Sequence, residues 1–160
     1  MNRIHEQQFP LRAHLTVGFT LLEVLIACLA IAALAGIAIP VMTDRIDKAK
    51  NAKAIADILS LQAQISMYKD NNGALPDSLN DLGAAGILDP WDNPYQYLRI
   101  TGAPGEQPRK DRFLVPVNTD FDLYSKGKNG DSKAPFTAKA SRDDIVRASD
   151  GAYIGLASEF

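Results

Sequence analysis

The chain has 160 residues, a net charge of −2 and a pI near 5.6. Basic and acidic residues nearly balance, 17 against 19, so no global charge points to nucleic acid. The single cysteine, Cys28, leaves no disulfide framework. Both histidines, His5 and His14, lie near the amino end, and no phosphate loop, zinc spacing or nucleophile–base set occurs, so the composition points away from an enzyme.

Residues 1–17 carry Arg3, Arg12, His5, His14 and one acid, Glu6, the layout of the basic end of a secretory signal. The apolar run that follows is longer than such a signal needs, and no small-x-small cleavage site closes it. Instead Ile39-Pro40-Val41-Met42 leads straight into a polar helical pattern, which suits a retained membrane anchor. From Val24 to Met42 there is no charge, about the length a bilayer core asks of a helix. Glu23 is the lone acid at the start of this stretch. A carboxylate at that depth costs roughly 2.5–3.5 kcal/mol on insertion scales, so it calls for a partner. Lysine and arginine counting sets Arg3 and Arg12 against Arg45, Lys48, Lys50 and Lys53, which taken alone would put the amino end outside.

Gly18-Phe19-Thr20-Leu21-Leu22-Glu23 resembles the cleavage-and-methylation motif of type IV prepilins and type II secretion pseudopilins. The resemblance implies that a membrane prepilin peptidase cuts after Gly18 and methylates the new amino terminus, Phe19. It also implies a leader that stays on the cytoplasmic side, and Pro40 stands where these filament proteins often carry a helix-kinking proline. Once Phe19 is a terminal amine, it and Glu23 lie four apart on one helical face. A buried cation and a buried anion are each costly alone, but paired across neighbouring copies they would set axial register. A pairing of Glu23 with its own amine, or snorkelling to the membrane surface, is the plainer alternative.

Beyond the membrane run, Ile46, Ala49, Ala52, Ile55, Ile58, Leu59, Gln62, Ile65 and Tyr68 recur at three-to-four spacing. Asn71-Asn72-Gly73 supplies residues that tolerate a left-handed stop. A helix from Phe19 to Asn71 is therefore expected, about 80 Å long at 1.5 Å per residue, apolar all round at first and amphipathic later. Ser78 to Leu82 suits a short helix or turn, and Asp89-Pro90-Trp91-Asp92-Asn93-Pro94 is turn chemistry. Tyr95 to Ile100, Phe113 to Val117 and Phe121 to Ser125 read as three short strands. An exposed loop containing Gly102-Ala103-Pro104-Gly105 and Pro108-Arg109-Lys110-Asp111-Arg112 joins the first two. The expected fold is α+β: a long amino-terminal transmembrane and amphipathic helix packed on a small three-stranded antiparallel sheet, with the type IV pilin-like form that the family resemblance implies. The expected organisation is a cleaved leader over 1–18, a membrane and assembly helix over 19–43, and a globular head over 44–160.

DPWDNPYQY, residues 89–97, closely resembles the DPWGNPY stretch of type II secretion major pseudopilins, with Asp92 replacing the usual glycine. DLYSKGKNG, residues 122–130, is similar to that family's YSLGADG, with Lys126 replacing the leucine and Lys128-Asn129 replacing Ala-Asp. Trp91 and the neighbouring tyrosines also read simply as packing under a loop. The resemblance further implies a calcium loop in the head, with Lys126 (through its carbonyl), Asn129, Asp143 and Asp144 at the ligand positions. Asn129 removes a charge that an aspartate would bring. The competing reading makes Ser141-Arg142-Asp143-Asp144 a helix start, with Ser141 as cap and the acids in the first turn.

Taken together, the resemblance implies a structural filament subunit, the major pseudopilin of a type II protein secretion system. It would be single-pass in the bacterial inner membrane with its head in the periplasm. Its implied partners are other copies of itself, prepilin peptidase, an inner-membrane assembly platform and minor pseudopilins, with power from a separate ATPase. A type IV pilin for adhesion, DNA uptake or motility is the close alternative, although the pair of cysteines common in such heads is missing. A membrane-anchored enzyme or receptor is a third class, and would work as a monomer.

Overall fold

In a computed structural model the described residues are 18–84, 86–103 and 105–160. Residues 1–17 of the expected leader over 1–18, with Arg3, His5, Arg12 and His14, lie outside the described residues, as does Pro104 of the predicted loop. One helix, α1, covers Leu21–Asn72, within two residues of the expected span, and its backbone continues through position 40.

The chain divides into two compact units, one ending at Met42 and one running from Thr43 to Phe160. In the first, α1 is long and apolar enough to cross a membrane, with a mean hydropathy of 2.7 over its best window. Its large apolar side chains from Leu21 to Met42 are between 49% and 85% exposed. Such a surface is apolar on every face and suits lipid or other helices rather than water.

In the second unit the rest of α1 is amphipathic. Ala54, Ile58, Leu61 and Ile65 are buried at successive three- and four-residue steps, the spacing that lines one face of a helix. The buried stripe differs from the expected one, since Ile46 and Leu59 are 53% and 52% exposed. The helix ends as its sequence demands. Gly73 takes a left-handed φ of 74°, its N–H bonds the Lys69 carbonyl at 2.8 Å, and the Asn72 amide bonds the Tyr68 carbonyl at 2.9 Å.

A 3-10 turn over Leu79–Leu82 occupies the expected place, with the Asp81 carboxylate accepting the Asp77 and Ser78 backbone N–H groups. The sheet then has four strands rather than three: β1 (Gln96–Arg99), β2 (Phe121–Ser125), β3 (Ile145–Ala148) and β4 (Tyr153–Leu156). They form an antiparallel meander in chain order. Tyr97 faces Leu123 across β1 and β2, Tyr124 faces Val146 across β2 and β3, and Val146 faces Gly155 across β3 and β4. The helical stripe joins Ala84, Tyr95, Phe121, Leu123 and Ile145 in one core, and Phe136, Val146, Ala148 and Ala157 form a second.

The segment Phe113–Val117 is not a strand. The Asp111 carboxylate accepts the Phe113 and Val115 N–H groups at 2.8 and 2.9 Å, and Leu114 has a φ of 64°. This Asx turn makes residues 113–116 an exposed tip, with an isolated bridge between Lys110 and Pro116, while Val117 packs against the second core. Pro116 has no N–H to extend a ladder.

Candidate functional site

Two places carry the residues singled out in the sequence. At the amino end, Gly18, Phe19 and Thr20 precede α1, and Phe19 is 82% exposed. The Glu23 N–H donates to the Thr20 hydroxyl at 3.2 Å, and the Val24 N–H to the Thr20 carbonyl at 3.2 Å. Thr20 therefore acts as the helix cap, and Glu23 falls at its third position, where a carboxylate favours the positive end of the helix dipole. Thr20-Leu21-Leu22-Glu23 carries the capping spacing in plain view, a local role that the reading of Glu23 as an assembly charge passed over. Glu23 itself is exposed.

The second place is the segment between β2 and β3, which begins at the half-buried Lys126. Gly127 has a φ of 63°, and a Cβ there would lie 2.1 Å from the Asp143 carbonyl oxygen. Only glycine allows this approach of two backbones. The Asn93 amide, arriving from the DPWDNPY turn, donates to the Gly127 carbonyl at 3.0 Å. That turn is organised by buried Asp89, whose Oδ1 accepts the Trp91 and Asn93 N–H groups at 2.9 Å, while Oδ2 accepts the Ser125 hydroxyl. Trp91 packs against the main core, and Lys50 Nζ stands 5.9 Å from its ring centre.

Asn129 and Asp143 do come together. The Asn129 backbone N–H donates to Asp143 Oδ2 at 2.9 Å, and its Nδ2 donates to Asp143 Oδ1 and to the Ala140 carbonyl. Asn129 Oδ1 accepts the Asp131 N–H at 2.6 Å, which fixes the orientation of the amide. Asp144 sits apart from this pair in its contacts, fully buried, with Oδ2 accepting Arg109 at 2.6 Å and the Ser132 hydroxyl at 2.5 Å. Burial pushes its carboxyl up to about 6, while the Ser132 hydroxyl and the Arg109 guanidinium pull the other way. The helix start expected at Ser141 is replaced by a 3-10 turn over Lys139–Ser141. There the buried Ser141 hydroxyl donates to the Lys133 carbonyl and accepts its N–H, so it closes the loop instead of capping a helix.

The decisive residue here is one that sequence reasoning placed in an exposed loop. Arg109 is only 3% exposed. Its N–H donates to Asp122 Oδ2 at 2.6 Å, and its guanidinium donates to Asp144, to the Ser132 hydroxyl at 2.6 Å and to the Lys133 carbonyl at 2.5 Å. The Tyr124 and Phe136 rings lie 4.5 and 5.2 Å from its guanidinium carbon. A comparable knot surrounds Arg147, which donates to Gln62, to both Asp120 oxygens and to the Phe121 carbonyl. Its nearest sequence signal is weak: an arginine inside an apolar IVRA run calls for carboxylate partners.

This donor set does not fit calcium, which takes six to eight oxygens in one shell. The Asp143 oxygens face N–H donors, Asn129 turns its amide nitrogen toward them, and one Asp144 oxygen is taken by a cation. Asp144 Oδ1 is buried without a hydrogen-bond partner, and one free oxygen is not a coordination shell. Among the described residues, no group of three His, Cys, Asp or Glu side chains is placed to hold a metal ion.

No protein-family model matches the chain. Curated relatives do. It is similar to the type II secretion system core protein G of Pseudomonas aeruginosa, at 34% identity over 71% of this chain and 84% of that protein. The protein of the same name from Dickeya chrysanthemi is 37% identical, covering 71% of each chain. That of Aeromonas hydrophila is 32% identical over 66% of this chain and 89% of its own length. With its prepilin-like amino end, long helix and small antiparallel sheet, the chain belongs to the type II secretion system core protein G family, the major pseudopilins.

Proposed function

We propose that the protein is a structural subunit that polymerises into the pseudopilus of a type II secretion system. In this reading the chain is made as a prepilin, held in the inner membrane by the apolar part of α1, with its head in the periplasm. Prepilin peptidase cuts between Gly18 and Phe19 and methylates the new terminus. The membrane platform then draws copies into a filament alongside minor pseudopilins. The observation that carries this is the apolar surface of α1 before Met42, which is exposed on all sides. Lipid covers it before assembly, and helices of other copies cover it afterwards. The names of the relatives support a secretion filament over a type IV pilin of the cell surface.

Intact-mass measurement of protein extracted from membranes tests the reading. The expected mass lacks residues 1–18 and gains one methyl group. A mature terminus at any residue other than Phe19, or an uncut chain, would overturn it.

A further inference from the structure

We propose that the Arg109 guanidinium is the resident cation of the loop between β2 and β3, so that the head holds this loop without calcium. Family resemblance leads one to expect a metal at Lys126, Asn129, Asp143 and Asp144. The geometry instead gives the buried carboxylate of Asp144 a positive partner from the protein itself.

A loop-closing ion does three things: it neutralises buried charge, joins segments distant in sequence, and offers several ligand directions at once. Arg109 does each. Its charge faces Asp144 at 2.6 Å, and both side chains are sealed, 4% and 0% exposed. Its donors bind residues from separate segments, Asp144 before β3 and Ser132 and Lys133 in the preceding loop. Arg109 itself comes from a further segment, the connection between β1 and β2, where its own N–H is fixed on Asp122. The planar fork of a guanidinium suits this set of oxygens, and two aromatic faces suit its delocalised charge. With the guanidinium in place, a divalent ion would have to displace a cation from Asp144 and N–H donors from Asp143. Asn129 fits the same logic. Its amide supplies an N–H to Asp143, which an aspartate could not do.

The test uses the full chain in detergent. Thermal unfolding is followed in chelator and in millimolar calcium, and saturable binding is sought by equilibrium dialysis with radioactive calcium. The expected result is one midpoint in both conditions and no saturable site. A rise of several degrees with calcium, the shift a site held near saturation gives a domain of this size, would overturn the proposal. Arg109→Gln and Arg109→Lys are melted in chelator beside the wild type. Both are expected to lower the midpoint, with Lys the milder because it keeps the charge but loses the fork. Limited proteolysis is expected to cut Arg109→Gln within residues 126–143 faster than the wild type. Wild-type protection of this loop in Arg109→Gln would equally overturn the assignment. The calcium arms need no variant to fold, and none of these outcomes depends on where the leader is cut.

Discussion

Asp92 stands where the resembled sequences carry glycine, and its φ of 68° shows why glycine is usual there. Left-handed backbone strains any residue with a Cβ, and aspartate is among those that tolerate it best. Asp92 is exposed, so little packing is at stake, while its N–H bonds the Asp89 carbonyl at 3.0 Å and closes the turn. Asp92→Gly should therefore stabilise the head, by up to about 1 kcal/mol. The relief of strain outweighs the extra freedom that glycine gives the unfolded chain, which offsets roughly 0.5–1 kcal/mol. Chemical unfolding of both proteins checks this, and a lower midpoint for Asp92→Gly would mean that the aspartate does more than turn the chain.

Among the elements, the long helix and the strands β1 and β2 were legible because each is a local pattern: sustained three-to-four spacing in one case, short apolar clusters between turn residues in the others. Phe113-Leu114-Val115 has the composition of a strand as well, yet the Asp111 side chain claims the backbone N–H groups that a partner strand would need. The two strands near the carboxyl end were missed for the opposite reason. Ile145–Ala148 is buried along its whole length, so it shows no alternation, and Arg147 within it looks like a surface residue. The available signal was Asp150-Gly151 between two apolar clusters, a hairpin dipeptide. Arg109 could not have been found in the same way. Its burial depends on Asp122, Ser132 and Asp144, which only the folded sheet brings to it.

The turn joining β3 and β4 makes its own prediction. The Asp150 carboxylate accepts the Thr119 N–H at 2.7 Å and the Thr119 hydroxyl at 2.9 Å, tying this turn to the lead-in of β2. The Thr119 backbone N–H, with the hydroxyl beside it, holds the Asp150 carboxyl below its usual range. A carboxyl depressed by folding contributes stability above its unfolded value, about 3.9, and loses it as pH falls through the folded value. Asp150→Asn keeps a side chain suited to the left-handed φ of 51° but removes that charge. The variant should melt below the wild type at neutral pH, with the gap closing as the solution is acidified below about pH 4. A gap that stays constant across this range would show that the tie does not act through the carboxylate.

For the whole molecule, the question is what Glu23 does once copies associate. It has two available roles, and they predict different things. As the third residue of a helix capped by Thr20, it stabilises the start of α1 within one chain. As the acid nearest a freshly cut Phe19 amine, it pairs with that amine across two chains, and assembly then selects neighbours at one axial register. Glu23→Leu removes both roles and makes the span more apolar, so membrane insertion should be unimpaired. Glu23→Gln keeps the size and polarity of the side chain and deletes the charge alone. If charge pairing is what matters, both variants should be inserted and cut at Gly18 but enter filaments poorly. Pairs within a low-dielectric bundle are hard to break singly, because the stranded amine has no other anion. Sheared-filament yield, set against the amount of processed protein in the membrane, measures this directly. Filament formation by Glu23→Gln at the wild-type level would leave capping as the role of Glu23 and exclude the amine pair as the source of register.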